Sequence, residues 1–351
     1  MAMVREARLA EKVGVRLTAI LAIACAVAGL AYLGNSDANR WPGESDVQTM
    51  DAPHASGGNL SGLVYEGSNQ IGGERTLWAV RNAPGALFRL VWDGAVWTPA
   101  RAADWAAGKS LRYPDGTGNP DAEGVTFAEP GSRGGMYVAT EQDNDARIIR
   151  NSILRFDVDA VGALLTATDE WNLTADLPDA GPNQGIEGIT WIPDSYLVDA
   201  GLTDESRGRA YDPSDYPDHG AGLFFVGVET NGMIAGYALG RDGSFTRIAT
   251  IISGLAGVMD LHFDRETHDL WAVCDVRCSG SVVVLRIDPQ ARRFVVAGRF
   301  DRPRSLPNVE NEGFAIAPLS ECNGGRRPVF WADDSETGGH AIRRGTIQCG
   351  P

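Results

Sequence analysis

One short stretch recurs along this chain, and its recurrence limits the possible fold more than any other feature. The clearest copy, residues 119–127, reads Asn-Pro-Asp-Ala-Glu-Gly-Val-Thr-Phe, and close copies occupy 183–191 and 308–316. Two looser copies at 59–65 and 257–263 bring the total to five. Equivalent positions in successive copies lie 52 to 73 residues apart.

Each copy is followed by two further apolar runs. The first of these is similar to Leu77-Trp-Ala-Val80, and the second is similar to Val282-Val-Val-Leu-Arg-Ile287. Short β-branched and aromatic runs separated by Gly, Pro, Asp and Asn are typical of strands and turns. Several strands repeated at such a spacing are typical of propeller blades. The sequence therefore predicts an all-β fold, a single five-bladed β-propeller, with six blades as the alternative.

The fifth repeat is one strand short. Its third strand ends near Ile347, and too few residues follow for a fourth strand. Residues 47–52 (Val-Gln-Thr-Met-Asp-Ala) are a strand candidate that could complete the last blade, close the ring and cover two exposed sheet edges. The fourth strand of the first blade is predicted at 95–99. We assign the propeller to residues 47–351.

The front of the chain has a different character. Basic residues precede an uncharged apolar run from Leu17 to Leu33, so residues 1–34 are predicted to be an export signal peptide or an N-terminal membrane anchor. The sequence is consistent both with cleavage of this segment and with its retention as an anchor. Residues 35–46 are polar, contain Pro and Gly, and are interpreted as a linker. We expect the rest of the chain to be extracytoplasmic, either secreted or anchored by this segment.

Four cysteines follow the export segment: Cys274, Cys278, Cys322 and Cys349. An even number in an exported chain predicts disulfides, and three pairings are possible. We favour Cys274–Cys278 with Cys322–Cys349, because each pair then falls within one blade. A zinc site is disfavoured because no Cys-x-x-Cys or paired His accompanies them.

An acidic residue begins the first strand of four repeats. The first strand of a propeller blade is the innermost one, so these side chains are expected to ring the channel near one end, with Ser61 at the fifth position. Carboxylates at short range raise one another's pKa unless a cation is present, and Ca²⁺ prefers such hard oxygen ligands. The predicted ligands are Glu123, Glu187, Asp260 and Glu312. The alternative is that each acid binds backbone amides of the neighbouring blade and is purely architectural.

A second polar set occurs at the start of the first repeat and after the second strands. If these positions open on the same face, some of them could add a second cation site or form a substrate rim, although acidic turn residues usually serve only the turn. The set consists of Asn59, Arg81, Glu141, Asp143, Glu229, Asp275, Asp333 and Asp334.

Three other segments carry expectations. His262 follows Asp260 by two residues and is expected to be a buried histidine paired to a carboxylate rather than a general base. The insertion 193–221 has no periodicity and is interpreted as a surface loop, either decoration or a lid over the channel. Residues 100–118 could hold a short helix.

The charge and the missing motifs exclude several functions. A net charge of −15 argues against binding to nucleic acids or anionic membranes, so membrane contact is expected only through the N-terminal segment. Gly-x-Ser-x-Gly and His-Glu-x-x-His are absent. Lys109 is the one lysine after the export segment, which disfavours lysine-based covalent catalysis.

The repeats resemble those of two related exported propeller families. The residues that carry this resemblance are 121–127, 183–191 and 59–65, each followed by Leu-Trp-Ala-Val or a similar run. The families are the phytase-like family with esterase-like activity and the SdiA-regulated family, and the resemblance covers roughly 47–347. It implies a β-propeller with calcium in or near the channel and, for the first family, hydrolysis of phosphoesters or carboxylesters. Asp260-Leu261 departs from the Glu-Gly of the other repeats, and no catalytic residue can be carried over.

Two functions are consistent with these features. The first is a monomeric, calcium-dependent hydrolase of phosphoesters, esters or lactones, acting on a small-molecule or phosphorylated substrate. The alternative is a non-catalytic exported binding propeller with structural calcium.

Overall fold

The computed structural model describes residues 38–67, 74–102, 104–129, 131–177 and 180–350. The predicted export or anchor segment, 1–34, lies outside the described residues. None of the helices within the described ranges has the length and apolar character needed to cross a membrane.

The described chain is almost entirely β-structure. A short strand β1 (Gln48–Thr49) precedes the first blade. Blade 1 consists of β2 (Leu60–Glu66), β3 (Thr76–Arg81), β4 (Ala86–Trp92) and β5 (Trp97–Pro99), and β6 (Lys109–Arg112) also pairs with β4. Blade 2 consists of β7 (Pro120–Phe127), β8 (Met136–Asp143), β9 (Ile148–Phe156) and, after β10 (Leu164–Thr166), β11 (Asp169–Asn172).

The remaining blades repeat this antiparallel order. Blade 3 is built from β12 (Ile186–Pro193), an insertion with α1 (Asp194–Asp199), β13 (Thr203–Asp204) and β14 (Arg209–Ala210), and then β15 (Gly222–Val228), β16 (Met233–Leu239) and β17 (Phe245–Ile252). Blade 4 contains β18 (Asp260–Asp264), β19 (Asp269–Val273), β20 (Val282–Asp288) and β21 (Arg293–Phe300). Blade 5 contains β22 (Asn311–Ile316), β23 (Arg326–Asp333) and β24 (Ile342–Gln348). The predicted five-bladed propeller is confirmed.

Short 3-10 turns connect some of these strands. They span Ser132–Gly134, Thr174–Asp176, Pro213–Asp215, Val276–Cys278, Leu319–Glu321 and Thr337–Gly339.

The N-terminal strand closes the ring. β1 pairs antiparallel with β24, with Thr49 opposite Arg343, and the N–H of Met50 donates to the carbonyl of Ile342 at 2.9 Å. The carbonyl of Met50 accepts the N–H of Trp97 at 2.7 Å, so this segment also contacts β5 of blade 1. The predicted closing strand and the predicted fourth strand of blade 1 are both present.

The first strands β2, β7, β12, β18 and β22 pack side by side around the axis. They approach so closely that a Cβ would clash at Gly62, Gly124, Gly188 and Gly313. A Cβ on Gly124 would lie 2.4 Å from the carbonyl oxygen of Glu187, and one on Gly188 would lie 2.5 Å from the Cα of Asp260. The glycine after Glu123, Glu187 and Glu312 therefore lets neighbouring blades meet at the axis.

The described part of the predicted linker, 38–46, is attached to blades 4 and 5. Trp41 is buried between Trp271 and Trp331, with ring centroids 6.2 and 5.5 Å away. Its indole Nε1 donates to the carbonyl of Thr346 at 2.8 Å. This segment follows the propeller surface as a packed arm.

Residues 100–102 and 104–118 contain turns and β6 in place of the expected short helix. Lys109, Leu111 and Tyr113 alternate inward, which is the period of a strand. Lys109 is buried. Its amine is compensated there by a hydrogen bond to the carbonyl of Ala160 at 2.5 Å and by the ring of Trp105, whose centroid is 4.5 Å away.

The insertion 193–221 packs against outer strands of blades 3 and 4. The N–H of Thr203 donates to the carbonyl of Arg292, and that of Glu205 donates to the carbonyl of Ile248. Tyr211 is buried and donates to Asp194 at 2.8 Å. The insertion is therefore a structured outer element, which favours decoration over a lid.

Both expected disulfides are present. Cys274–Cys278 lies in the connection between β19 and β20. Cys322–Cys349 joins the segment before β23 to the residue after β24. Such bonds are typical of proteins that work outside the cytoplasm.

Candidate metal centre

The first strands begin and the second strands end at the same end of the channel. Strand pairing sets Pro120 opposite Asp143 and Asn311 opposite Asp333. Both predicted acidic sets therefore converge on one opening, which we call the acidic mouth. It consists of Asp121, Glu123, Glu141, Glu187, Glu229, Asp275, Glu310, Glu312 and Asp334.

Two groups of three carboxylates in the acidic mouth could hold a metal ion. Asp121, Glu123 and Glu141 each contribute one oxygen, and these oxygens all lie within 4.8 Å of one another. Glu141, Glu187 and Glu229 form a second group by the same measure. Glu141 belongs to both groups, so the two groups form one continuous cluster across blades 2 and 3.

Glu123 is the most constrained member of the cluster. It is 4% exposed, and its Oε2 is buried without a hydrogen-bond partner among the described residues. Burial raises the pKa of Glu123, and the charges of Asp121 and Glu141 raise it further. Burial likewise raises the pKa of Glu187, followed by the charges of Glu123 and Glu141. Ionising these groups together requires a compensating positive charge.

Neighbouring groups hold the candidate ligands in place. Asp121 accepts hydrogen bonds from Gln142 at 2.5 Å and from Asn144 at 3.1 Å. Glu141 accepts the N–H of Gly185, which precedes β12, at 2.8 Å. Burial raises the pKa of Glu141 to about 7; the Gly185 N–H opposes that rise and the charge of Asp121 adds to it. These bonds orient the carboxylates, as outer partners do in metal sites.

The four predicted ring acids do not behave alike. Glu123 and Glu187 join the clustered groups, whereas Glu312 is outside both. The charge of Glu312 still contributes to the raised pKa of Glu123 and Glu187. Its own pKa is raised by burial and then by the charges of Asp334 and Asp275.

Asp260, the fourth predicted ring acid, is outside both groups of three carboxylates and contacts backbone N–H groups. Its Oδ2 accepts the N–H of Leu63 at 3.2 Å and that of Phe314 at 2.7 Å, and its Oδ1 accepts the N–H of Leu261. Burial raises the pKa of Asp260, and these three hydrogen bonds oppose the rise. Because Asp is one methylene shorter than Glu, its carboxylate stays near the axis and ties blade 4 to blades 1 and 5. The architectural alternative describes this residue.

Ser61, at the fifth ring position, donates through Oγ to the backbone carbonyl of Glu123 at 2.8 Å. It therefore bridges the first strands of blades 1 and 2 and adds no charge to the mouth.

The predicted rim residues divide into two kinds. Glu141 and Glu229 belong to the ligand cluster, although Glu229 also pairs with Arg277. Asp334 accepts a hydrogen bond from Asn82 at 3.3 Å, and burial raises its pKa to about 6. These residues place acidic groups at the opening.

The other predicted rim residues are engaged in local structure. Asp143 caps a turn through the N–H groups of Asn119 and Asp145, and Asp275 accepts the N–H of Arg277. Asp333 pairs with Arg343 at 2.9 Å. The last two side chains donate to backbone carbonyls: Asn59 to Ala83 and Arg81 to Pro84.

Asp121 is the candidate ligand that sequence reasoning missed. It lies two residues before Glu123, and side chains two apart on a strand share a face. The alternation of the strand, extended backward by one step, could have identified it.

His262 does not have the predicted carboxylate partner among the described residues. It lines a cavity at the other end of the channel, and burial lowers the pKa of its imidazole to about 4. The nearby carboxylate of Asp264 pairs instead with Arg327.

No protein-family model matches this chain, and no curated protein sequence matches it. Of what the resemblance to the phytase-like and SdiA-regulated families implies, the structure shows the β-propeller fold.

Several solved structures are similar to this chain. A candidate 6-phosphogluconolactonase from Bacteroides uniformis has 14% identity and a TM-score of 0.37, over 77% of this chain and 66% of that protein. The periplasmic gluconolactonase of Pseudomonas aeruginosa has 13% identity and a TM-score of 0.36, over 83% and 85% of the two chains. A chain of the nidogen–laminin complex has 13% identity and a TM-score of 0.36, over 79% and 72%. Similarity at this level does not identify an activity.

Proposed function

We propose that the acidic mouth binds Ca²⁺ through Asp121, Glu123 and Glu141, with Glu187 and Glu229 completing the cluster. The observation that carries this proposal is the buried, unpartnered Oε2 of Glu123 beside two other carboxylates. An all-oxygen donor set suits Ca²⁺, which is bound by carboxylates, carbonyls and waters. The donors present therefore fit this cation.

The function that this site supports best is hydrolysis of lactones, esters or phosphoesters outside the cytoplasm. Bound Ca²⁺ would polarise a scissile carbonyl or phosphoryl group and acidify a water molecule. Asp334, with a pKa of about 6 at the same opening, is placed to accept a proton near neutral pH. The surrounding negative charge favours uncharged lactones and esters over phosphoesters.

The second candidate is a non-catalytic binding propeller with structural calcium. It is favoured by the hydrogen bond from the N–H of Gly185 to Glu141, which joins blades 2 and 3. A cation shared by Glu141 and Glu187 would strengthen that same connection.

Turnover assays with and without calcium separate the two candidates. A δ-lactone, an aryl ester and an aryl phosphate are each tested in Ca²⁺ and in EDTA. We expect EDTA-sensitive turnover of the lactone or the ester, abolished by Glu123→Gln. The exposed Asp159→Asn variant, outside the mouth, is the matched control. Calcium binding without turnover of any substrate would support the binding propeller instead.

A further inference from the structure

A second cavity lies at the end of the channel opposite the acidic mouth. Its volume is about 370 Å³, within the range of small-molecule sites, and the first strands of all five blades contribute to its wall. We call it the far pocket, and the residues that matter for its chemistry are Thr126, Phe127, Trp191, His262, Arg265 and Arg327.

His262 breaks the pattern of the repeat in the far pocket. The equivalent position, two after the repeat acid or Ser61, is Leu63, Val125, Ile189 or Phe314 in the other blades, each buried. His262 is half-buried, and no described residue hydrogen-bonds to its ring nitrogens. An imidazole at this position contributes less apolar burial than the Leu, Val, Ile or Phe side chains of the other blades. The stability of the blade therefore does not explain this histidine.

Arg265 is the cation of the far pocket with unused donors. Its guanidinium lies 4.8 Å from the ring centroid of Trp191. Its two hydrogen bonds are long, 3.3 Å to the carbonyl of Phe127 and 3.4 Å to the exposed Glu129. A guanidinium has five N–H donors, so most of them are free. Arg265 is half-buried, so its charge is partly removed from water, and this burial lowers the pKa of its guanidinium.

The other charges lining the far pocket are already engaged. Arg327 is buried and paired with Asp264. Glu66 accepts hydrogen bonds from Trp78 at 2.8 Å and from Ser132 at 3.1 Å. Glu266 accepts the N–H of Leu319 and lies 3.7 Å from Arg327. Arg265 therefore provides the available charge and His262 an available hydrogen bond, and Phe127 and Trp191 line the same cavity.

We propose that the far pocket binds a small monocarboxylate with an apolar ring or chain, its carboxylate paired with Arg265 and hydrogen-bonded to His262. Guanidinium groups match carboxylates in planar geometry, and the neutral imidazole supplies a further N–H. The aromatic residues would contact the apolar part of the ligand. This site is separate from the acidic mouth and needs no calcium.

The test is calorimetric titration of the intact protein with benzoate, cyclohexanecarboxylate and hexanoate. We expect saturable binding of at least one carboxylate, at least tenfold tighter than its uncharged amide and unchanged by EDTA. Inorganic phosphate should not compete, because it lacks the apolar part. If none of the three carboxylates binds, or if the amides bind equally well, the proposal is wrong.

Two variants locate the binding. Arg265→Gln is expected to weaken carboxylate binding at least tenfold, while the exposed Arg241→Gln leaves it unchanged. His262→Leu restores the apolar residue class of the other blades, so it should weaken binding while the melting temperature holds or rises. Unchanged binding in both Arg265→Gln and His262→Leu would overturn the proposal. If His262→Leu does not fold, the Arg265→Gln variant and the comparison with the amides still test the proposal.

Discussion

Protons and calcium compete for the same buried carboxylates. Burial raises the pKa of Glu141 from 4.5 to about 7 and that of Asp334 from 3.8 to about 6. Without calcium, the folded protein holds these protons at pH values where the unfolded chain has lost them. Its stability should therefore fall as the pH rises through the window from about 4 to about 7.

Calcium should reverse that loss, because it replaces the protons as the compensating charge. We expect the Ca²⁺-induced rise in melting temperature to be small at pH 5 and large at pH 8. Thermal melts in Ca²⁺ and in EDTA across this range provide the measurement. A calcium shift of equal size at both pH values would contradict the assignment of Glu141 to the cation site.

Glu187 and Asp260 occupy equivalent positions in their repeats but should respond differently to loss of charge. At free Ca²⁺ a hundredfold above its Kd, binding stabilises the wild type by roughly 2.7 kcal/mol. Glu187→Gln should reduce this gain while leaving the fold intact in high Ca²⁺. Asp260→Asn should cost about 1–3 kcal/mol equally in Ca²⁺ and in EDTA, because it disturbs the acceptor of three buried backbone N–H groups. Denaturant melts under both conditions separate the two behaviours.

Ser61 provides the control for the ring. Its hydroxyl donates to a carbonyl and contributes no charge, so Ser61→Ala should leave the calcium affinity unchanged. A large loss of affinity would mean that the ligand set is wrong.

The sequence could predict where the acids occur but not where they point. Glu123 and Glu187 follow from the repeat, whereas the orientation of Asp260 depends on free N–H groups of Leu63 and Phe314 in two other blades. Those donors are distant in sequence, so no local pattern reveals them. The free donors of Arg265 were hidden for the same reason.

The two disulfides should differ in their contribution to stability. Cys322–Cys349 closes 27 residues and Cys274–Cys278 only 4. Loop-closure entropy in the unfolded chain gives about 3.5 kcal/mol for the first and about 2 kcal/mol for the second. Double Cys→Ala variants, compared by denaturant melts, should show the larger loss for Cys322–Cys349. The reverse order would mean that native contacts, rather than unfolded-chain entropy, dominate.

Elements that follow the repeat were predictable, and the segments between repeats were less so. The closing strand could be predicted because a count of the apolar runs shows that the fifth repeat lacks a fourth strand. β6 was missed because Lys109 occupies one of its inward positions, so the sequence does not show the alternation of apolar and polar residues that is typical of a strand. Its burial depends on Trp105 and on the carbonyl of Ala160, and tertiary contacts of this kind override local composition.

Ring closure should keep the whole molecule monomeric. β1 covers the edge of β24, and an uncovered edge strand is a template for pairing with another chain. A chain beginning at Pro53 should therefore associate or aggregate, whereas one beginning at Ala38 should remain monomeric with an unchanged melting temperature. Size-exclusion chromatography with light scattering measures both. Monomeric behaviour of the shorter chain would show that closure does not control association.

Because β1 pairs with β24, the last blade can be completed only after the whole chain has been synthesised. Blades 1 to 4 each draw their four strands from one continuous stretch, so each can form as soon as that stretch has left the ribosome or the export channel. Blade 5 cannot form in this way, because its outermost strand, β1, is synthesised first and the neighbouring strand, β24, is synthesised last. A chain halted before residue 342 would hold four finished blades and two open edges, a form that chaperones and proteases can distinguish from the completed ring.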